Sequence, residues 1–178
     1  MLRFIRAGEY IFPVLQPPDT HYLSAAVGWL ELGNPAEAEA EINRVSPRRQ
    51  EHPDVLEVRW EILAATRSWD AAFEAADRLV RHAPERHSGW LHRAYALRRA
   101  SGGGLQQAYD ALRPTLERFP KVAIIPYNLA CYAAQMGRLE EAWDWLQKAM
   151  QTGVAQSIRA MALEDDDLRP LWERIKAS

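Results

Sequence analysis

Alanine recurs at Ala38, Ala72, Ala108 and Ala142, at spacings of 34, 36 and 34 residues, each time near the start of an apolar-periodic segment. A second column lies twelve or fourteen residues upstream and holds Ala26, Trp60, Ala94 and Ala130. A third, three residues further on, holds Trp29, Leu63, Leu97 and Ala133. A unit of this length is too small to enclose a core alone, so it must bury its apolar face on the unit before and the unit after. Small residues at a fixed register mark where two antiparallel helices cross closely, since a larger side chain there would force the backbones apart. The period therefore predicts helical hairpins stacked in series.

Local signals place the ends of those helices. In Gly33-Asn34-Pro35-Ala36-Glu37 a helix stop is followed by an Asn cap, proline at the first helical position and Glu three residues after the cap. Ser68 is expected to cap the segment that begins at Trp69. In the fourth unit Leu139, Ala142, Leu146 and Ala149 recur every three or four residues, the stripe of an amphipathic helix. Pro47, Pro84 and Pro120 fall where second helices should end. The two extra residues of the third unit lie in its turn, Ala100-Ser101-Gly102-Gly103-Gly104, where added loop leaves both helices intact. Pro114 lies inside the second helix of that unit and predicts a kink, or a late start after Asp110.

These columns resemble the tetratricopeptide repeat family. The segment from Asn128 through Ala130, Ala133 and Gly137 to Ala142 is the best match, supported by Trp90, Ala94, Leu97, Ala108 and Pro120 in the third unit and by Ala38 and Ala72-Phe73 earlier. Trp60 at a usually small site, Pro126 at the usual Trp site and Ser68 in place of a turn glycine depart from the pattern. The resemblance implies an all-α fold, a right-handed α-α superhelix of four hairpins with a C-terminal capping helix. The array covers 19–153 (19–52, 53–86, 87–122 and 123–153), after an N-terminal arm or cap at 1–18 and before capping helices at 154–178. Within that last segment, 156–163 is expected as one helix, and Asp165 to Ile175 as another with Leu168, Leu171, Trp172 and Ile175 on its apolar face. The acids from Glu164 to Asp167 read as a solvated loop, because no EF-hand spacing or turn glycine follows them.

The resemblance also implies that first helices line a concave groove which binds a peptide or a protein helix. Projecting its columns onto this chain gives Val27, Glu57, Glu61, Leu91, His92, Tyr95, Arg98, Arg99, Tyr127, Asn128 and Cys131. Leu91, Tyr95 and Tyr127 would supply flat apolar anchors. Glu57 and Glu61 stand one turn apart; they either pair with Arg98 and Arg99 or form a separate charge patch. Their charge disfavours a carboxylate-terminated ligand and favours a basic or amphipathic helix.

Other function classes find little support in the residues. A formal charge of −2, from 22 Lys and Arg against 24 Asp and Glu, gives no global field for nucleic acid, and neither Arg48-Arg49 nor Arg98-Arg99 extends into a basic stripe. The five histidines are scattered, so no metal or other cofactor is expected; Cys131, with no acid–base partner nearby in sequence, reads as a structural thiol. The glycines at 102–104 lack the Lys-Ser/Thr of a phosphate loop. No run is long and apolar enough for membrane insertion, which leaves a cytoplasmic location as the expectation. The leading expectation is thus a non-enzymatic interaction module or adaptor for a protein or peptide. A small export chaperone, similar to those of type III secretion in size and mild acidity, and an enzyme on a helical scaffold are the alternatives. A homodimer through Trp69 or Trp145 is a further expectation.

Overall fold

Every regular element among residues 12–177, the part of the chain that this computed structural model describes, is an α-helix or a 3-10 turn. The expected arm at 1–18 therefore lies partly outside the described residues. The chain divides into two units, Met1–Gly89 and Trp90–Ser178.

The first unit contains two hairpins. Helix α1 (Asp19–Glu31) packs on α2 (Pro35–Ile42), α3 (Pro53–Ala65) packs on α4 (Trp69–His82), and α2 also packs against α3. Asn34 caps α2 as its spacing predicts, its side chain accepting the Glu37 amide at 3.3 Å. Ser68 does not cap α4; its hydroxyl is paired with that of Thr66 instead. Between each pair the chain reverses through a left-handed residue, Gly33 at φ 73° in the first hairpin and Arg67 at φ 56° in the second. Arg67, thirty-four residues after Gly33, is thus the position that corresponds to the turn glycine, and it adopts a conformation that costs an L-residue energy. Ala26, Ala38 and Ala72 are fully buried, as a close helix crossing requires. Asp19 closes the first hairpin: its carboxylate accepts both the Ser46 amide and the Ser46 hydroxyl at 2.8 Å.

The second unit takes most of α5 (His87–Leu97) and continues through α6 (Leu105–Leu112), α7 (Thr115–Arg118), α8 (Ile124–Gln135), α9 (Leu139–Thr152), α10 (Ala155–Glu164) and α11 (Trp172–Lys176). Pro114 does more than kink the third hairpin's second helix. It divides that helix into α6 and α7 and stands as the first-turn cap of α7. The preceding turn depends on glycine, since a Cβ at Gly103 would lie 1.8 Å from the Leu97 carbonyl oxygen. Ala94, Ala108, Ala130, Ala133 and Ala142 share one core with Leu129, Tyr132 and Leu146. Pro84 and Pro120 each follow a helix end, as expected.

The C-terminal segment is built differently from the single capping helix anticipated for Asp165 to Ile175. After α10 the chain forms a 3-10 stretch, Asp166–Leu171, and only then the short α11. Pro170 explains the change: it has no amide to donate, and its ring clashes with the carbonyl four residues back in an α-helix. The apolar side chains still reach the core, with Leu168 and Ile175 fully buried and Leu171 nearly so. Among the described residues no helix is long and apolar enough to cross a membrane.

Candidate functional site

The residues expected to face a groove separate into two environments, one in each unit. In the second unit the chain's own C-terminal segment engages three of them, Arg98, Tyr127 and Cys131. Arg98, in the turn that follows α5, grips Asp167 with both terminal nitrogens, at 2.6 and 3.3 Å, and stacks over the Tyr132 ring at 5.4 Å. From α8, the Tyr127 hydroxyl donates to Asp165 Oδ2 at 2.9 Å and the Cys131 thiol donates to the same oxygen at 3.5 Å. Gln135 donates to the Asp167 carbonyl at 3.2 Å, and Asp165 Oδ1 receives the Asp167 amide at 3.0 Å. Asp165 thereby caps its own 3-10 stretch while it satisfies two buried donors.

This corrects two expectations. The acids at Asp165 and Asp167 are not a freely solvated loop, and Tyr127, expected as an apolar anchor, and Cys131, expected to face the groove, are buried at 4% and 3% exposure. Burial raises the pKa of the Tyr127 hydroxyl, and the neighbouring Cys131 and Asp165 add to it; burial likewise raises that of the Cys131 thiol, followed by the Asp165 and Asp167 carboxylates. Both groups stay protonated as hydrogen-bond donors. The three side chains Cys131, Asp165 and Asp167 come close enough to resemble a cation site, but the Arg98 guanidinium already holds Asp167 there.

The other expected groove residues of this unit have local roles. Asn128 donates to the Ile124 carbonyl one turn back at 2.9 Å. Arg99 stacks on the Tyr95 ring at 3.8 Å and donates to the Tyr95 carbonyl. Leu91 packs on the core, and His92 is half-buried. Trp145, a suggested self-interface residue, is also half-buried and donates to the Tyr109 hydroxyl at 3.0 Å.

In the first unit α3 carries a row of carboxylates. Asp54, Glu57 and Glu61 follow one another at three and four residues, so they share one face of the helix. Arg86 contacts the first two, reaching Asp54 at 2.6 Å and Glu57 at 3.2 Å, and the Ser88 hydroxyl donates to Glu57. Of the two alternatives for these acids the separate patch is observed: Glu57 pairs with Arg86, whereas Arg98 is engaged by Asp167. Glu61 is exposed and has no ion-pair partner among the described residues. Partial burial, and then the Glu57 carboxylate, raise its pKa even though much of the side chain meets water. Val27, on α1, packs against the core of this unit.

Sequence reasoning missed Asp165, Asp167, Arg86 and Ser88. Their partners lie 29 to 69 residues away, and no periodic signal links them.

Comparison with known proteins agrees with the architecture. No family model matches the chain, and no curated protein sequence matches it. A solved structure, MamA from residue 41 to its end, of Desulfovibrio magneticus RS-1, is similar, with a TM-score of 0.65 over 92% of this chain and 94% of that chain. The fold is a tetratricopeptide-like helical repeat. At 18% identity the likeness extends to the fold alone.

Proposed function

We infer that the protein is a non-enzymatic interaction scaffold whose partner docks on the first unit, and that the partner presents a basic or amphipathic helical segment. The observation that carries this reading is the contrast between the two faces. Arg98, Tyr127 and Cys131 are covered by the chain's own acids, whereas Glu61 stands exposed and unpaired beside Glu57. Among the described residues, Asp54, Glu57 and Glu61 with Arg86 paired to the first two leave that face negative. A cationic segment would be drawn to it and would relieve the repulsion between Glu57 and Glu61. Partners of this kind dock on preformed helical surfaces with little backbone change.

The test is fluorescence anisotropy with a labelled, lysine-rich amphipathic helical peptide, run beside the same peptide with its lysines replaced by glutamate. The lysine peptide should bind and weaken with added salt, and Glu61→Lys should reduce its affinity about tenfold, the scale of one lost charge contact of ~1.4 kcal/mol. Glu61 is exposed, so circular dichroism should be unchanged. Equal binding by the wild type and Glu61→Lys would reject this face as the docking site.

A further inference from the structure

The second unit carries a stretch with the chemistry that the α3 acids would recruit. Within residues 113–121, Arg113, Arg118 and Lys121 are exposed, against the single acid Glu117. Arg113 and Lys121 have no ion-pair partner among the described residues, and Arg118 lies over the ring of its neighbour Phe119 at 5.8 Å. The apolar members of the stretch turn the other way. Leu116 and Phe119 pack on the core of this unit, and Thr115, buried, donates its hydroxyl to the Leu112 carbonyl at 2.6 Å. Pro114 sets this arrangement, because it interrupts the helix after α6 and begins the short α7. The result is a basic ridge with an apolar underside anchored in its own unit.

We propose, resting on the reading of α3 as the docking face, that its partner is a second copy of this chain, whose stretch from Arg113 to Lys121 docks against Glu57 and Glu61. Charge complementarity carries this assignment. Arg86 is shared between Asp54 and Glu57, which leaves Glu61 exposed without a cation, while Arg113 and Lys121 are exposed without an anion. Each surface offers the charge that the other lacks among the described residues. Because one surface lies in the first unit and the other in the second, the contact joins unlike patches and runs head to tail between copies. A formal charge of −2 for the whole chain sets up little repulsion between copies, so local charge decides how they approach. A guanidinium or ammonium arriving beside Glu61 also offsets the Glu57 carboxylate, the neighbour that disfavours its ionised form.

The experiment is sedimentation velocity of the full chain over a range of concentrations, at low salt and at about 0.5 M salt, where charge screening shortens to about 4 Å. The wild type should associate at low salt and dissociate at high salt. Glu61→Lys alone, and Arg113→Glu combined with Lys121→Glu, should each weaken the association by about tenfold or more. Arg48→Glu, which reverses an exposed cation of the first unit, should associate as the wild type does. Mixing the two weakened proteins should restore a complex, because the first keeps the basic stretch and the second keeps the α3 acids. A wild type that stays monomeric at low salt would overturn the proposal. So would Arg48→Glu weakening association as much as the α7 changes, or a mixture that fails to recover while both proteins keep the wild-type circular dichroism. If the wild type is monomeric yet binds the lysine-rich peptide, the second copy alone is rejected; if it does neither, the docking face is rejected with it.

Discussion

Replacing Asp167 by asparagine tests whether the C-terminal segment closes the second unit through charge. The Arg98 side chain is 13% exposed and that of Asp167 28%, so their ion pair stands between the exposed and the buried case. Exposed pairs contribute about 0–1 kcal/mol, whereas breaking a buried pair costs about 3–5 kcal/mol because one charge remains without a partner. Two short bonds from one guanidinium, with Tyr132 beneath it, favour a value near the middle. Asp167→Asn should cost about 2 kcal/mol, which for a chain of this size lowers the melting temperature by about 4–8 °C. Arg98→Met combined with Asp167→Asn should cost less than the two single changes together, giving a coupling of about 1–2 kcal/mol in a double-mutant cycle. Urea and thermal unfolding by circular dichroism measure it, with the exposed neighbour Asp166→Asn as control. If Asp167→Asn and Asp166→Asn unfold within about 0.5 kcal/mol of each other, the pair is no more than a surface contact and the closure rests on the bonds to Asp165 and on burial of Leu168, Leu171 and Ile175.

Ala142 is fully buried in the helix crossing, so Ala142→Leu should overpack it and cost about 1–3 kcal/mol in thermal unfolding. Glu141→Leu beside it is not silent either: it removes the acceptor of the Tyr109 hydroxyl and should cost about 1 kcal/mol. Cys131 is buried and its thiol pKa is raised, so iodoacetamide at neutral pH should label it only after denaturation, as intact-mass measurement would show; rapid labelling of the native protein would contradict the closed face.

Whatever repeats with the period was legible in the sequence. Ala26, Ala38, Ala108 and Ala142 are all fully buried, and the Asn34 cap and the helix ends near Pro84 and Pro120 lie where local chemistry puts them. These features depend on residues a few positions apart, where propensity and periodicity act. The candidate site was less legible because its decisive contacts are long-range. Asp165 reads from its neighbours as a helix-capping acid, which it also is, and nothing local shows that Tyr127 and Cys131 donate to it. Arg67 illustrates the reverse case, in which the hairpin geometry imposes a left-handed backbone on a residue that does not favour it.

The tie between Arg98 and Asp167 spans 69 residues, far more than the contacts between neighbouring helices within this unit. Closing so long a loop carries a larger entropic cost than forming a hairpin, so it belongs to the late stages of folding. During synthesis α5 and α8 emerge well before Asp165 and Asp167 do. Until those acids arrive, Arg98, Tyr127 and Cys131 lack the partners they have in the folded chain. A chain truncated before residue 165 should therefore expose Tyr127 and Cys131 and aggregate more readily than the full chain, which light scattering of the two would compare.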